Sequence, residues 1–402
     1  MSNKYNFETV ESRFDVGSKK WDEIDQYCPE VRKKGEDIIP FSVADMEFET
    51  APSICEGMKK YIDHYVLGYS NPTPAFFNAV CDWMYSHHDW EIQPDWVLTT
   101  SGVITAFFMA VKTFTDPGDG VVLMTPVYYP MYSAIRNNNR KLVENPLINH
   151  NGHYEIDFED LEQKVKDPNT KLLIFCSPHN PAGRVWTRRE LEKVGRICID
   201  NHVLIASDEI HFDLIMPGYH HTVFASISEE FAMHSITMTA ASKSFNLAGM
   251  QTSCVIIPNK ELRDAFHAEQ LLDEVNPKSN ILGYEATRLA YTECGEWFDR
   301  ALAVIDHNRQ TVVDFMAKEF PEVIVTPLEG TYLLWMDIRP LGIDYKHLAE
   351  ILRTEGKLFF DDGYIFGTPG EGFERWNLAC PTRYVEEALL RLKGVLNKHR
   401  KD

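Results

Sequence analysis

The chain has 402 residues, of which 44% are hydrophobic and 12% aromatic, and its formal net charge at pH 7 is −20. This length exceeds what one hydrophobic core usually supports, so it predicts two domains. The acidic balance argues against nucleic acid or anionic lipid as a partner, because phosphate groups require a basic face. The composition therefore favours a protein that acts on small molecules.

The middle of the chain alternates predicted strands with predicted helices. Thr187 and Glu190 have capping-box spacing at the start of one helix, and a second helix, at 102–114, is apolar nearly all round. Short apolar runs predict strands at 96–100, 120–125, 171–177, 202–207 and 235–240. Continuous apolar strands separated by helices indicate an α/β fold with a mostly parallel sheet that helices cover on both faces.

The pattern changes after about residue 290. The stretch 329–338 alternates less regularly, and 384–399 reads as an amphipathic helix. We therefore expect residues 51–290 to form a large domain and residues 291–402 a smaller α+β domain. Residues 1–50 are expected to pack with the smaller domain.

The cysteines and the N-terminus bear on location. The eight cysteines are widely spaced and contain no CxxC pair, which argues against ordinary zinc ribbons and favours reduced thiols. The first residues are polar and charged, and no apolar run has the length of a membrane span. We expect a cytoplasmic protein.

Polar residues follow several predicted strands at their carboxyl ends, where open α/β sheets bind their ligands. Ser101 and Gly102 end the first of these strands and open the 102–114 helix, so they and the next residues, Val103 and Ile104, offer backbone N–H groups to a phosphate. These are the candidate phosphate ligands.

Three further side chains follow later strands in the same way. Asn180 lies in "SPHNPAGR", Asp208 in "SDEIH" and Lys243 in "AASK". From Phe231 to Asn259, Lys243 is the only Asp, Glu, Lys or Arg. A lysine without charged neighbours either snorkels to the surface or has its amine kept near neutral for chemistry.

Together these groups match the needs of pyridoxal phosphate. That cofactor requires a lysine for its aldehyde, a carboxylate for its ring nitrogen, a donor to its phenolate oxygen and a phosphate site. We expect Lys243 to bond the aldehyde and Asp208 to pair with the ring nitrogen. Asn180 would donate to the phenolate oxygen, and the start of the 102–114 helix would bind the phosphate.

A rival interpretation is a divalent metal site in "SDEIHFDLIMPGYHH". No HExxH spacing is present, and a metal would leave Lys243 and Asn180 unexplained. The side chains concerned are Asp208, Glu209, His211, Asp213, His220 and His221.

The longer motifs make the chain resemble a known family. "SPHNPAGRVW", "SDEIHFDL" and "SKSFNLAG" resemble the class I/II aminotransferase superfamily of pyridoxal-phosphate enzymes, known as fold type I. "SKKWDEI", "VADMEF", "EGTYLLWMD" and "NLACPTR" are similar to its MalY/PatB subgroup of cystathionine (cysteine-S-conjugate) β-lyases. The resemblance covers nearly the whole chain. It implies a sheet of the seven-stranded type and a homodimer in which an aromatic residue from one subunit completes the other's phosphate site.

The resemblance also implies roles for individual residues. Tyr128 matches the aromatic that stacks on the cofactor ring, and Ser242 matches a phosphate ligand. Arg383 matches the arginine that takes the substrate carboxylate. Tyr69 is the candidate that reaches the partner subunit's phosphate, with Tyr65 as the alternative. With Lys243 and Asp208, Tyr128 completes the candidate catalytic residues.

The chain departs from the family at three positions. Gln251 stands where aspartate-type aminotransferases usually have a phosphate-binding arginine, so the phosphate relies more on N–H groups and hydroxyls. His211 replaces a tyrosine and is counted here among the cofactor-binding candidates. Ser42 precedes "VADM" where the subgroup often has a tryptophan, which alters the shape of that part of the site.

The subgroup motifs favour a lyase, in which the carbanion formed at Cα expels a β-substituent. An aminotransferase, which returns the proton to the cofactor instead, shares the first steps and is the alternative. A catalytically idle regulator on the same fold is a third interpretation. Cystathionine, cystine and S-alkyl cysteines all stay open as substrates.

Overall fold

The computed structural model describes residues 4–24, 38–272 and 279–400. Its strands in chain order are β1 (Ile39–Pro40), β2 (Val97–Thr100), β3 (Gly120–Thr125), β4 (Lys141–Pro146), β5 (Ile148–His150), β6 (His153–Glu155), β7 (Thr170–Cys176), β8 (Leu204–Asp208), β9 (Ser235–Thr239), β10 (Ser253–Ile256), β11 (Ile324–Val325), β12 (Leu333–Asp337), β13 (Leu358–Phe359), β14 (Asp361–Asp362) and β15 (Phe373–Asn377).

The helices of the described residues lie between these strands. In chain order they are α1 (Lys19–Asp22), α2 (Pro52–His64), α3 (Pro74–His88), α4 (Val103–Phe114), α5 (Pro130–Asn137), α6 (Phe158–Val165), α7 (Arg188–Asp200), α8 (Glu229–Met233), α9 (Ala241–Ser244), α10 (Lys260–Leu272), α11 (Ile281–Glu293), α12 (Gly295–Glu319), α13 (Tyr345–Thr354) and α14 (Thr382–His399).

The central sheet has seven strands in the order β2-β10-β9-β8-β7-β3-β4. Only β10 runs antiparallel to its neighbours, and the other pairs are parallel. The α/β class with a mostly parallel sheet is therefore confirmed, and the predicted strands agree with the observed ones within two residues. Strands β4 and β10 were not predicted.

The buried strands and helices follow from the sequence pattern. β7, β8 and β9 are buried along nearly their whole length because helices cover both faces of the sheet. The predicted capping box is present at α7: Thr187 Oγ1 accepts from the Glu190 N–H at 3.3 Å, and Glu190 Oε2 accepts from the Thr187 N–H at 2.7 Å. This exchange satisfies backbone donors that the first turn leaves unpaired.

A second, four-stranded antiparallel sheet forms from the C-terminal part of the chain in the order β11-β12-β15-β14. The N-terminal segment joins this part, because β1 pairs in parallel with β13, Ile39 lying opposite Leu358. Helix α14 covers the predicted amphipathic stretch. The domain boundaries at residues 51 and 291 stay a prediction.

Two further properties concern the described ranges alone. None of the helices there combines the length and apolarity that crossing a membrane requires. Seven cysteines lie in these ranges, and each is a free thiol. Cys28 lies outside the described residues.

Candidate active site

A cavity of about 340 Å³ lies at the carboxyl ends of three central strands. Cys176 ends β7, Asp208 ends β8, and Lys243 lies in α9 just after β9, and all three line the cavity. The predicted site residues that line it are Ser101, Gly102, Val103, Ile104, Tyr128, Asn180, Asp208, His211, Ser242 and Lys243. Its volume suits a small-molecule ligand.

The Lys243 side chain is half-buried, and its amine donates a hydrogen bond to the Ala44 carbonyl oxygen at 2.6 Å. Burial lowers the pKa of Lys243 to about 8, although the carboxylates of Asp45 and Asp208 act in the opposite direction. An amine with a pKa near neutrality can both attack an aldehyde and exchange protons. The pKa of the Lys243 amine is therefore lowered, as the lack of other charged residues in the surrounding sequence predicts.

Asp208 occupies the end of β8 with one carboxylate oxygen, Oδ1, accepting from the Ile210 N–H at 3.2 Å. Burial raises the pKa of Asp208 to about 7, while the charge of Lys243 favours the ionised form. A carboxyl group with this pKa becomes fully ionised when a cationic ring nitrogen binds beside it. The side chain is thus poised to pair with a ligand cation.

The raised pKa of Asp208 predicts how the stability of the cofactor-free protein depends on pH. In an unfolded chain an aspartate has a pKa of about 3.9. Between pH 4 and the folded pKa of about 7, the folded chain keeps a proton that the unfolded chain has lost. Stability therefore falls as the pH rises through this window.

We expect Asp208→Asn, which removes the titrating group, to melt a few degrees higher than wild type at pH 8 and to match it near pH 4. Calorimetry of the cofactor-free proteins across this range gives the comparison. A difference that grows on acidification would contradict the burial argument.

Asn180 is oriented by an arginine that the sequence interpretation did not consider. Arg375 Nη1 donates to Asn180 Oδ1 at 2.8 Å, and Arg375 Nη2 binds Asp361. The amide oxygen is therefore occupied, and Nδ2 is the atom available to a ligand oxygen in the cavity. This agrees with the predicted role of Asn180 as a donor to the cofactor phenolate.

The N-terminus of α4, which the sequence predicts to bind a phosphate, lies on the cavity lining. Gly102 precedes the helix with a φ of 150°, a conformation that a side chain would disfavour. The first N–H groups of a helix have no partner within it and attract anions. Ser101, Ser242 and Thr252 add hydroxyls to the same lining, and Gln251 adds a neutral amide.

His211 and Tyr128 complete the lining. Burial lowers the pKa of His211 well below its ordinary value, so the ring is neutral at pH 7. His211 Nδ1 is buried and finds no hydrogen-bond partner within the described residues. Burial also raises the pKa of Tyr128, which keeps its hydroxyl protonated. An orphaned nitrogen and a protonated phenol are suited to a polar ligand with an aromatic ring.

Arg383 is not part of this site, and its predicted role is wrong. It is exposed near the start of α14, where Nε donates to the Glu8 carbonyl oxygen at 3.1 Å and the guanidinium packs over the Tyr384 ring. The first turn of α14 directs the side chain to the surface rather than to the cavity.

Arg375 is the arginine that lies beside the site. It belongs to β15, whose five residues are all buried, and its Nε has no hydrogen-bond partner in the part of the chain that the structure describes. Its charge acts on Lys243 and His211. One signal in the sequence could have identified it, namely the Glu-Arg pair between the two aromatic residues of "FERWN".

Tyr69 does not reach the cavity of its own chain. It is fully exposed and lies in a separate surface depression with Asn71 and Asn280. Its predicted role toward a partner subunit stays a prediction.

The side chains that the rival interpretation assigns to a metal site do not share one site, and several of them have other hydrogen-bond partners. Glu209 Oε2 bonds His221 Nε2 at 2.8 Å, and His88 Nε2 bonds Asp213 Oδ1 at 2.7 Å, whereas Asp208 faces the cavity. Over residues 4–24, 38–272 and 279–400, no group of three or more His, Cys, Asp or Glu side chains is arranged to hold a metal ion.

The donor set of the cavity fits pyridoxal phosphate. Lys243 offers an amine of lowered pKa, Asp208 a carboxylate, and Asn180 an oriented N–H donor. The start of α4 offers an anion site on the same lining.

Comparison with known proteins gives consistent matches along the chain. The family model for aminotransferase class I and II matches residues 36–392. Cystathionine beta-lyase PatB of Bacillus subtilis (strain 168) is 38% identical over 98% of this chain and 100% of its own length. Protein MalY of Escherichia coli (strain K12) is 30% identical over 98% of each chain.

The same similarity is seen in three dimensions. The crystal structure of cystalysin from Treponema denticola, which contains a pyridoxal 5'-phosphate cofactor, superposes with a TM-score of 0.95 at 48% sequence identity. The match covers 98% of this chain and 99% of cystalysin.

Proposed function

The chain belongs to the class I and II aminotransferase family, and we propose that it is a pyridoxal-phosphate-dependent C–S β-lyase that cleaves L-cysteine conjugates. The observation that carries this function is the end-to-end similarity to cystathionine beta-lyase PatB. The cavity supports it, because an amine, a carboxylate and an amide, the groups that the cofactor requires, line it together. The MalY/PatB resemblance inferred from the motifs is confirmed.

The groups that would hold pyridoxal phosphate all lie on one cavity lining. Lys243 would bond its aldehyde, Asp208 its ring nitrogen and Asn180 its phenolate oxygen, while the start of α4 would take its phosphate. Tyr128 is proposed to pack on its ring. When bound, the cofactor supplies an electron sink for the charge that develops at the substrate Cα.

Lys243 is the proposed base that removes the Cα proton. Its pKa of about 8 leaves part of the amine unprotonated at neutral pH, so Nζ can accept that proton. The Ala44 carbonyl oxygen accepts from both Lys243 Nζ, at 2.6 Å, and the Tyr332 hydroxyl, at 2.9 Å. This carbonyl holds the amine at one edge of the cavity.

Arg375 is proposed to orient the substrate through its α-carboxylate. Asn180 and Asp361 hold two of its nitrogens, so the planar guanidinium is fixed before substrate binds. A fixed guanidinium can accept a carboxylate at low entropic cost. It would thereby direct the Cα–H bond toward Lys243.

The overall reaction uses one water and yields three products. The Cα proton leaves first, the Cβ–S bond breaks with its electron pair on sulfur, and the remaining aminoacrylate hydrolyses to pyruvate and ammonium. A thiol has a pKa of about 8.5, so the sulfur can depart as a thiolate anion without first being protonated.

One assay decides between the lyase and the aminotransferase. The cofactor-loaded enzyme is incubated with L-cystathionine, L-cystine and S-alkyl cysteines, and pyruvate is measured together with the released thiol, which from L-cystine is the persulfide of cysteine. We expect the two to appear in equal amounts. A keto acid that retains the whole substrate skeleton, without released thiol, would make the protein an aminotransferase. No turnover of any amino acid would favour the regulator.

We also propose a homodimer whose partner subunit contributes to each phosphate site. The segment between α2 and α3 exposes several large apolar side chains, which a monomer would leave in water. Val66, Leu67 and Tyr69 are 89%, 58% and 110% exposed relative to an extended reference. A second copy of the chain would cover these side chains, and the expected shared phosphate site requires such a copy.

Tyr69 and Tyr65 provide a matched pair for this assembly. If Tyr69 donates to the partner's phosphate, Tyr69→Phe should weaken cofactor retention more than Tyr65→Phe, because each variant loses only a hydroxyl. Cofactor dissociation measured by dialysis and absorbance makes the comparison. An active monomer in sedimentation at working concentration would rule out the shared site, and the reverse order of effects would transfer the role to Tyr65.

We also propose a cytoplasmic location, as the sequence analysis predicts from the cysteines. The seven cysteines in the described ranges are free thiols, which suits a reducing compartment.

A further inference from the structure

The loop 43–47, which follows β1, carries the backbone group that contacts Lys243. Its Ala44 carbonyl oxygen accepts from Lys243 Nζ. Val43 has a φ of 55°, which is costly for a β-branched residue, so surrounding contacts must fix this backbone. Asn377 Nδ2 donates to the carbonyl oxygens of Val43 and Asp45, each at 2.7 Å, and Asn246 Oδ1 accepts from the Met46 N–H at 2.9 Å.

Two carboxylates of this loop bind two cations of the N-terminal segment. Lys20 Nζ lies 2.8 Å from Glu47 Oε1 and 3.4 Å from Asp45 Oδ1. Arg13 lies 2.6 Å from Glu47 and 3.1 Å from Asp45. We call Arg13, Lys20, Asp45 and Glu47 the N-terminal ion cluster. Lys20 is only 2% exposed, so its charge depends on both carboxylates.

The two carboxylates differ in what else they face. Glu47 is fully buried and is engaged by Arg13, Lys20 and the Trp21 indole N–H, which donates to Oε2 at 3.1 Å. Asp45 is partly exposed and lies with Lys243 on the lining of a second cavity of about 940 Å³. Glu47 lines this cavity too, but Asp45 directly follows Ala44, whose carbonyl oxygen accepts from Lys243 Nζ, and its charge acts on the amine.

The charges of Asp45 and Lys243 act on each other. Burial works to raise the pKa of Asp45, but Lys20, Arg13 and Lys243 outweigh it and hold that pKa below its ordinary value. Burial lowers the pKa of Lys243, and Asp45 is the strongest influence in the other direction. The charged and titratable groups that face Lys243 come from four parts of the fold: Asp45 from the loop 43–47, Lys20 from α1, Asp208 and His211 from β8 and the turn after it, and Arg375 from β15.

We propose that Asp45 is a positioning residue for Lys243, held in place by Arg13 and Lys20 so that its carboxylate attracts the amine toward the Ala44 carbonyl. The N-terminal segment thereby acts on the lysine without touching substrate or cofactor. This inference rests on the proposed function only in taking Lys243 as the amine that bonds the cofactor. It holds equally for a lyase and an aminotransferase.

The test follows the protonation of Lys243 rather than turnover. The absorbance of the bound cofactor changes with pH as the nitrogen of Lys243 bonded to it loses its proton. A carboxylate favours the protonated form, so Asp45→Asn should move the midpoint of this change to lower pH by about one unit. The titration is made on the cofactor-loaded enzyme and needs no substrate.

Glu47→Gln is the matched control, because it removes one carboxylate of the same cluster that is engaged by Arg13, Lys20 and the Trp21 indole. We expect it to lower the melting temperature and to leave the titration midpoint unchanged. Asp45→Glu, which keeps the charge, should restore the midpoint toward the wild-type value. Equal midpoints for Asp45→Asn and wild type, or equal shifts in Asp45→Asn and Glu47→Gln, would overturn the proposal.

A second variant covers the case in which Asp45→Asn does not fold. Lys20→Met combined with Asp45→Asn removes one charge of each sign, which a buried pair tolerates better than loss of one partner. Asp45 acts on Lys243 more strongly than Lys20 does, so the double variant should still titrate at lower pH than wild type. An unchanged or higher midpoint there would also refute the role of Asp45. Failure of the lyase assay alone would leave this result standing.

Discussion

Replacing Lys243 with alanine is expected to abolish the long-wavelength absorbance of the bound cofactor and to reduce turnover by at least about 10²–10⁴-fold. Lys243 is the lysine of the cavity lining, and its pKa is lowered to about 8. The variant loses both the bond to the aldehyde and the base at Cα. Absorbance and initial rates on an S-alkyl cysteine measure the two effects on one preparation.

Lys260→Ala is the matched control for this change. Lys260 is exposed on α10, where it pairs with Asp264 one helical turn away, so its loss should change neither quantity. Borohydride reduction of the wild-type enzyme followed by peptide mapping should locate the pyridoxyl label on Lys243. A label on any other lysine would contradict the assignment.

The candidate site residues that the structure brings together share one property. Asn180 and Lys243 follow strands of the central sheet and Asp208 ends one, and the carboxyl ends of parallel strands meet at one edge. Local pattern was therefore enough to bring them together. The capping box of α7 was predictable for a similar reason, since both of its members lie within one turn.

The features that the sequence did not predict depend on contacts between distant segments. Lys243 and Ala44 are 199 positions apart, and nothing in either neighbourhood indicates that they meet. The N-terminal ion cluster joins α1 to the loop 43–47 in the same manner. The antiparallel strand β10 lies between β2 and β9 in the central sheet, and the hydrophobic periodicity of the strands does not specify this order.

The two arginines illustrate the same limit. Arg375 is buried because β15 pairs with both β12 and β14 in the second sheet, whereas Arg383 lies on the first turn of an exposed helix face. The two arginines lie close together in the sequence, and the resemblance to the family alone led to the wrong choice between them. Burial and the bond to Asn180 distinguish them.

Arg375→Lys is expected to raise KM and lower kcat together, reducing kcat/KM by about 10²-fold. Lysine keeps the positive charge opposite Asp361 but has no planar fork, so it can hold Asn180 and a substrate carboxylate less well. Because the carboxylate both binds and orients the substrate, loss of that contact affects ground-state binding and the alignment of the Cα–H bond. Steady-state kinetics with an S-alkyl cysteine separate the two constants.

Arg383→Lys is the matched control, since the same substitution is made on the surface. Its guanidinium contacts only the Glu8 carbonyl oxygen and the Tyr384 ring among the described residues, so kcat/KM should stay within about twofold of wild type. Melting temperature and cofactor absorbance verify that Arg375→Lys retains its fold. If Arg383→Lys loses activity while Arg375→Lys does not, the substrate carboxylate binds at the start of α14, and the site must extend well beyond the cavity at the ends of β7, β8 and β9.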